Sequence, residues 1–255
     1  MQVDASVVII TVGRDSLLRA VRSVFRQTHS GIIQVLIGVD AELFQPVVPL
    51  IEKLIQESPD NIFITPIHMG YSTSVRHGGV HTSHFGGSLR TALSFLAASK
   101  YVTYLDDDDW YESNHIESLL KAIDGRPWAF TLSNFADSNT DAILGMDTIE
   151  SVGPGRGVFR EKFGGFVRPS ALMLDKIKLS HLLHLWSISP FPTGDGEDRL
   201  IFMQLLKYTD YGETRTPTVN CALDPHDGMH GERMKSLGLE DKIIEGKQQT
   251  TRQAD

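Results

Sequence analysis

The chain has 255 residues, 41% hydrophobic and 22% charged, the composition of a globular domain large enough to fold without disulfide staples. Its 32 acidic and 24 basic side chains give a net charge of −8, which argues against a general nucleic-acid binder with its basic face. The single Cys221 leaves no internal disulfide and no Cys-based zinc site. No run approaches the roughly 18 apolar residues of a membrane span, and residues 1–4 lack the basic and apolar regions of a secretory leader, so a cytoplasmic location is expected.

In chain order, residues 7–10 form a short β-branched run, the pattern of a strand buried on both faces. Residues 11–16 read as a turn with helix-start side chains, and Leu17, Leu18, Val21, Val24 and Phe25 follow at helical spacing. Residues 35–39 predict a second buried strand ending at Asp40. Val47, Leu50, Ile51, Leu54 and Ile55 predict a second amphipathic helix, and residues 62–64 a third strand. Residues 66–88 are rich in Gly, Ser, Thr and His without an apolar period. They predict a long loop, a mobile lid over a substrate. Leu89, Ala92, Leu93 and Leu96 resume a helix, and residues 101–105 form a strand that runs into four consecutive aspartates at 106–109. Ile116, Leu119, Leu120 and Ile123 mark the next helix. Strands alternating with helices predict βαβ units and an α/β fold with a mostly parallel sheet. Past residue 125 the pattern loosens. Strands are expected over 128–133, 166–174 and 218–223, a buried helix over 200–206, an irregular excursion over 136–162, and a frayed polar tail from Gly246.

In open parallel sheets, ligands bind beyond the carboxyl ends of the strands. Thr11, Asp40 and the aspartates at 106–109 stand at three such ends. If the extended backbone persists, Asp106 and Asp108 share one face, and Asp107 and Asp109 the other. Carboxylates packed this closely repel, and one takes up a proton unless a cation is present. A hard divalent ion such as Mg²⁺ or Mn²⁺, shared with a phosphate, resolves the conflict. Capping of the following helix accounts for one or two of these aspartates, not four. A calcium loop is excluded by Trp110 where a third Asp or Asn is needed. G-x-G-x-x-G and G-x-x-x-x-G-K-[ST] are both absent.

With these pieces in order, the chain resembles the family 2 glycosyltransferases, whose catalytic domain has the GT-A fold. Residues 7–11 with Arg14 resemble the family's opening strand and turn. Ser23-Val24-Phe25-Arg26-Gln27-Thr28 resembles its "S-V-x-x-Q-T" helix ending. Val39-Asp40 resembles the strand end that meets the nucleoside base. Gly87-Ser88-Leu89-Arg90-Thr91-Ala92 resembles the "G-x-x-x-A-R-N-x-G" segment. Tyr104 to Trp110 resembles the D-x-D strand end, and Gly196-Glu197-Asp198 before an apolar helix resembles the "E-D" motif. Ala41 stands where the family often has a second Asp, Thr91 replaces the Asn after Arg90, and the 66–88 loop is longer than usual. Q-x-x-R-W and the membrane helices of processive synthases are missing, which favours transfer of a single sugar.

The resemblance implies one GT-A domain: a nucleotide-sugar-binding half at 1–125, a smaller mixed acceptor-binding and catalytic half at 126–240, and a polar tail at 241–255. It implies a nucleoside diphosphate sugar, UDP by family habit, as co-substrate. A saccharide or lipid-linked acceptor follows, at the inner membrane face in the lipid case. No nucleic acid and no integral membrane segment are expected, and a homo-oligomer stays open. Thr11, Arg14, Asp40, Arg90, Asp106 and Asp107 are the expected donor-binding set. Asp108 is expected to hold Mn²⁺ or Mg²⁺ directly. Asp106 would hold the ribose or a metal-bound water, and His226, with His230 as alternate, would complete the metal shell. Asp198 is the expected general base, with Glu197 either an acceptor contact or a partner of Arg199. Arg233 or Lys235 is expected to reach the diphosphate. Trp110 is either a sugar platform or a core aromatic. His77, His81 and His84 have metal-like spacing, but flanking glycines oppose the helix that would align them. A sugar-nucleotide pyrophosphorylase, or a non-catalytic nucleotide- or carbohydrate-binding module on the same fold, are the competing readings. The first wants a basic Gly-rich loop where residues 11–15 have one Gly and no Lys.

Overall fold

The structure, a computed structural model, describes residues 2–240. The polar tail expected from Gly246 lies outside the described residues. The opening half alternates as its periodicity requires: β1 (Ala5–Thr11), α1 (Ser16–Phe25), β2 (Ile33–Val39), α2 (Val48–Glu57), β3 (Ile62–His68), α3 (Gly87–Leu96), β4 (Tyr101–Asp106) and α4 (His115–Ile123). The two-residue strand β5 (Trp110–Tyr111) lies between β4 and α4. The second half contributes β6 (Trp128–Asp137), β7 (Ile143–Met146), β8 (Gly153–Pro154), α5 (Arg160–Phe163), β9 (Gly165–Phe166), β10 (Leu172–Asp175), α6 (Glu197–Leu205), β11 (Tyr211–Leu223) and α7 (His230–Ser236).

Nine strands form one mixed sheet in the order β3-β2-β1-β4-β10-β6-β11-β5, with β7 paired to β6; β8 and β9 form a separate ribbon. The first four strands in that order are parallel, and β10 runs antiparallel between β4 and β6. The chain builds β2 on one side of β1 and β4 on the other, so the strand order reverses at β1. A crevice opens at the carboxyl ends on either side of that switch.

Several expectations change in detail: β3 runs on to His68, inside the expected loop, β6 runs on to Asp137, and β11 begins at Tyr211 rather than at residue 218. The run 166–174 is not one strand: β9 stops at Phe166, a tight turn occupies Pro169–Ala171, and β10 starts at Leu172. Pro169 has no N–H for a sheet ladder, so the chain turns there. The excursion at 136–162 carries β7 and β8 and is less irregular than its composition suggests.

The core is continuous across both halves of the chain. Val7, Val8, Ile9, Val35, Ile37 and Val102 are buried on the parallel strands, and Trp128, Phe130, Leu174 and Phe202 on the later elements. Ile201, Phe202 and Leu205 bury one face of α6, with the Phe202 ring edge-on to Trp128 at 6.1 Å. That packing fixes the first turn of α6. Tyr104 joins three elements: its fully buried hydroxyl accepts from Trp186 Nε1 at 2.9 Å and bonds Ser94 Oγ on α3 at 3.0 Å. No helix among the described residues is long and apolar enough to cross a membrane.

The Tyr104→Phe variant strands a buried indole N–H while keeping the ring's volume. A loss of about 1–3 kcal/mol is expected, read as a lower denaturant midpoint at unchanged slope.

Candidate active site

A cavity of about 670 Å³ opens at the switch point. Its walls include Thr11 and Arg14 after β1, Asp40 after β2, Arg76, His77, His84, Phe85 and Gly86 before α3, and Arg90 on α3. Asp106 to Asp109, Arg168, Glu197, Asp198, Arg199, Asp224, Asp227 and Arg233 complete it. Thr11, Arg14, Asp40, Arg90, Asp106, Asp107, Asp108, Glu197 and Asp198 therefore face one space, and neither His226 nor its alternate His230 does. Two helices are aimed at it by glycines with positive φ. Gly86 (φ +66°) precedes α3, where a Cβ would sit 2.4 Å from Ile10 Cγ2. Gly196 (φ +88°) precedes α6, where a Cβ would sit 2.5 Å from the Phe191 ring. Neither turn tolerates a side chain without displacing these neighbours.

The four aspartates alternate as an extended run requires, even though the chain turns after β4. Asp107 and Asp109 are buried, at 1% and 4% exposure. The side chains of Asp106 and Asp108 keep 36% and 42%. Each carboxylate has found a cationic or hydroxyl partner. Thr11 Oγ1 donates to Asp107 at 2.5 Å, and Arg14 spans Asp107 at 2.8 Å and Asp108 at 2.7 Å. Buried Arg90 donates to Asp106 Oδ1 at 2.8 Å, with its guanidinium 5.2 Å above the Trp186 ring. Asp109 accepts from Ser170 Oγ at 2.9 Å and from the backbone N–H of Ala222 at 3.2 Å.

These partners do not fully compensate the crowding. Burial pushes Asp107 up to about 6, against the pull of Arg14 and the Thr11 hydroxyl. Burial, then Asp108 and Asp106, pushes Asp109 up to about 7. Asp108 is raised by burial and next by Asp106. Across the cavity, burial and then Asp198 push Glu197 up to about 7, and burial raises Asp198. Glu197 is 3% exposed and its Oε2 has no hydrogen-bond partner. Asp198 Oδ1 accepts from the N–H of Arg199 at 2.7 Å, which holds it at the helix start. Arg199 lies over the rings of Phe159 and Phe163 at 5.0 and 5.4 Å.

Several expected residues sit elsewhere or are otherwise occupied. His226 is exposed in the turn after β11 and does not line the cavity; its neighbours Asp224 and Asp227 do. The expected trio of Asp106, Asp108 and His226 is thus not assembled. Among the described residues no three His, Cys, Asp or Glu side chains come together to hold a metal ion. What the donor set does fit is an ion shared with substrate: two hard carboxylates at the cavity mouth, with phosphate oxygens supplying the remaining ligands, as magnesium commonly binds. His77, His81 and His84 share no helix face, because the only helical turn in that loop ends at His77. His81 Nδ1 accepts from the N–H of Ser83 at 3.1 Å. Trp110 is core, 8% exposed, with Arg19 stacked on its ring at 4.1 Å. Lys235 is exposed and outside the lining.

Arg168 was missed, and Arg233 is used otherwise than expected. Arg168 and Arg233 form a buried wall with Asp147 and Glu150, and Arg233 also reaches the exposed Asp227. Arg233 clamps Glu150 at 2.7 and 3.0 Å, and Arg168 reaches Asp147 at 3.0 Å. Arg233 is therefore held within the protein. A charged Arg168 inside the apolar run Phe166, Val167, Ala171, Leu172 was the available signal, since buried arginines are paired.

Residues 6–166 match the glycosyl transferase family 2. The chain belongs to that family. The match ends before Glu197-Asp198, but likeness in fold extends further. S. aureus TarS superposes with a TM-score of 0.60 at 14% identity, covering 93% of this family 2 chain and 39% of TarS. TarS residues 1–349 in complex with UDP-GlcNAc superposes with a TM-score of 0.60 at 12% identity, covering 93% and 66%. The same fragment with UDP gives 0.57 at 13% identity, covering 93% and 65%. The chain thus spans well under half of the longer TarS chain. No curated protein sequence matches it. The fold is the GT-A fold that the sequence implied.

Glu197 gives the cavity's electrostatics a direct check. Its folded-state carboxyl titrates above its unfolded value, so the folded protein binds the extra proton between about pH 4.5 and 7. Stability from that proton is present at low pH and is lost as pH rises through 7. The Glu197→Gln variant should gain thermal midpoint relative to the parent between pH 5 and pH 8. A constant offset across that range would show that Glu197 is ionised throughout.

Proposed function

We propose that the chain is an inverting glycosyltransferase that moves one sugar from a nucleoside diphosphate sugar to an acceptor hydroxyl in glycan or glycolipid synthesis. The observation that carries this reading is that Asp106 and Asp108, from the first half of the chain, share one cavity with Glu197 and Asp198, from the second. Family membership supports the reaction class, and the UDP and UDP-GlcNAc complexes of TarS support a uridine nucleotide.

The roles follow from position. Asp40 and Thr11, at the ends of β2 and β1, are assigned to the nucleoside, and Asp106 to its ribose. Arg14 is 55% exposed in its side chain and is assigned to the diphosphate. Arg90 is buried and fixed by Asp106, so it orients that carboxylate. A divalent cation, Mn²⁺ or Mg²⁺, held by Asp108 and Asp106 would supply Lewis-acid stabilisation of the charge on the departing diphosphate. Asp198 takes the proton from the acceptor hydroxyl while that oxygen forms its bond to the anomeric carbon. The bond from that carbon to the diphosphate breaks on the opposite face, and a single displacement inverts the configuration. Burial raises Asp198, which makes its carboxylate a better base than one in water. Glu197 meets the acceptor from the same helix turn.

The test separates donor binding from chemistry. UDP with Mn²⁺ should raise the thermal midpoint more than GDP or dTDP does, and more than UDP alone. Asp108→Asn should lose the metal-dependent part of that shift. Asp198→Asn should keep the shift and lose turnover by about 10²–10⁴. Near-normal turnover in folded Asp198→Asn, or activity unchanged in EDTA, would overturn the assignment of the base or of the ion respectively.

A further inference from the structure

Asp40 ends β2 and lines the cavity, yet it is 2% exposed and both its oxygens are already engaged. Oδ1 accepts from the N–H of Thr73 at 2.5 Å and from the Ser72 hydroxyl at 3.2 Å, and Oδ2 accepts from the Thr73 hydroxyl at 3.2 Å. Among the described residues, its side chain hydrogen-bonds to the loop before α3 and to nothing else. That loop is what covers it.

The way the loop is held decides whether it can leave. Its small polar side chains are buried: Ser72, Ser74 and Ser83 are 2%, 0% and 1% exposed. Ser74 Oγ donates to the carbonyl of His84 and accepts from the N–H of Arg76, and the N–H of Val75 donates to the His81 carbonyl at 3.0 Å. At the far end, the N–H of His84 donates to the carbonyl of Gly194 at 2.7 Å. The large apolar side chains are left on the crest in water: Tyr71 at 53%, Val75 at 45%, Phe85 at 51% and Val80 at 91% exposure. The hold is therefore polar, and opening the loop gives up little apolar burial. Segments held in this way stand at the low end of local stability. Gly70 (φ +83°) and Gly86 (φ +66°) bound the segment, two backbone positions able to absorb a change of direction.

An ionised carboxylate only accepts hydrogen bonds. A nucleotide at the carboxyl end of β2 therefore reaches Asp40 through an N–H or a hydroxyl, as ribose hydroxyls do in sheets of this kind. Thr73 presents one of each to the same two oxygens. Ligand and loop compete for them.

We infer, on the nucleotide-binding reading of the site given above, that residues 71–85 form an autoinhibitory strap: Thr73 occupies Asp40 in the free chain, and a nucleoside diphosphate binds by displacing it. A lid closes over its ligand, whereas this strap leaves to admit it. Ser72 and Thr73 thus set nucleotide affinity by competition rather than by contact. The apparent affinity is the intrinsic one multiplied by the fraction of molecules in which the strap is open.

The experiment combines limited trypsin digestion of the full chain, read by mass spectrometry at Arg76, with calorimetric titration of UDP in Mn²⁺. Arg76 is exposed but sits in the hydrogen-bonded turn Val75–His77, so cleavage there follows the open population. UDP with Mn²⁺ should speed that cleavage about tenfold. Ser72→Ala/Thr73→Val, which deletes both hydroxyls and keeps the N–H, should be cut faster than the parent without UDP and should bind UDP about tenfold more tightly. Bound UDP that slows cleavage at Arg76, or leaves it unchanged, would overturn the strap. So would UDP binding by the double variant that is no tighter than the parent's. The digestion of the parent decides the matter even where the variant does not fold. A parent that binds none of UDP, GDP and dTDP brings down the nucleotide-binding reading together with the strap, whereas UDP bound with Arg76 protected brings down the strap alone.

Discussion

Like charges crowded at the end of one strand set the terms for the rest of this molecule. β4 delivers Asp106 to Asp109 to the middle of the sheet, and α6 delivers Glu197 and Asp198 to the opposite wall. Three arginines answer them in place: Arg14 and Arg90 by direct pairing and Arg168 through its field on Asp109. Protonation answers the remainder, since Asp107, Asp109 and Glu197 all titrate well above ordinary carboxylates. A site in this condition has an unmet preference for positive charge, which is the physical basis for the cation in the proposed reaction.

Such crowding persists only if the scaffold resists it. β4 is hydrogen-bonded on both edges, to β1 and to β10. Tyr104, two residues before Asp106, is tied through its hydroxyl to α3 and to Trp186. Tyr111, just beyond the run, is fully buried and stacked on His115 at 3.6 Å. Burial drives that imidazole down to about 3, so it stays neutral and adds no charge beneath the site. The aspartates are therefore held between two rigid aromatic anchors on either side of a turn. Spreading them apart would require breaking the sheet or the core, a far larger cost than the repulsion.

The parts legible in sequence were those written in local pattern. Buried β-branched runs gave away β1 and β2, and helical spacing gave away α1 to α4, because each is decided by neighbours a few residues apart. Asp106 to Asp109 and Glu197-Asp198 stood out because carboxylates abut apolar runs. What escaped depends on distant partners. The Arg233–Glu150 clamp joins residues 83 apart, and β10 enters between β4 and β6 against the chain order. His226 looked suited to a metal by position after a strand, but the Asp224 turn leaves it exposed. Trp110 could be read as platform or core until Arg19 was found covering its face. In each case composition named the right residue types, and only the tertiary pairing decided their use.

The loop before α3 connects these levels. The carboxylate at the end of β2 is expected in this family to meet a nucleoside base, yet here Asp40 is 2% exposed and spends both oxygens on Ser72 and Thr73. A base that bonds Asp40 must compete with the anchor of the loop. The other anchor, His84 on Gly194, sits two residues before Gly196 and the start of α6. The loop is thus tied at one end to the carboxylate that ends β2 and at the other to the segment that precedes Glu197 and Asp198. The same stretch carries the exposed apolar crest. Both anchors lie within residues 72–84, so one hydrogen-bonded segment bridges the end of β2 and the turn before α6.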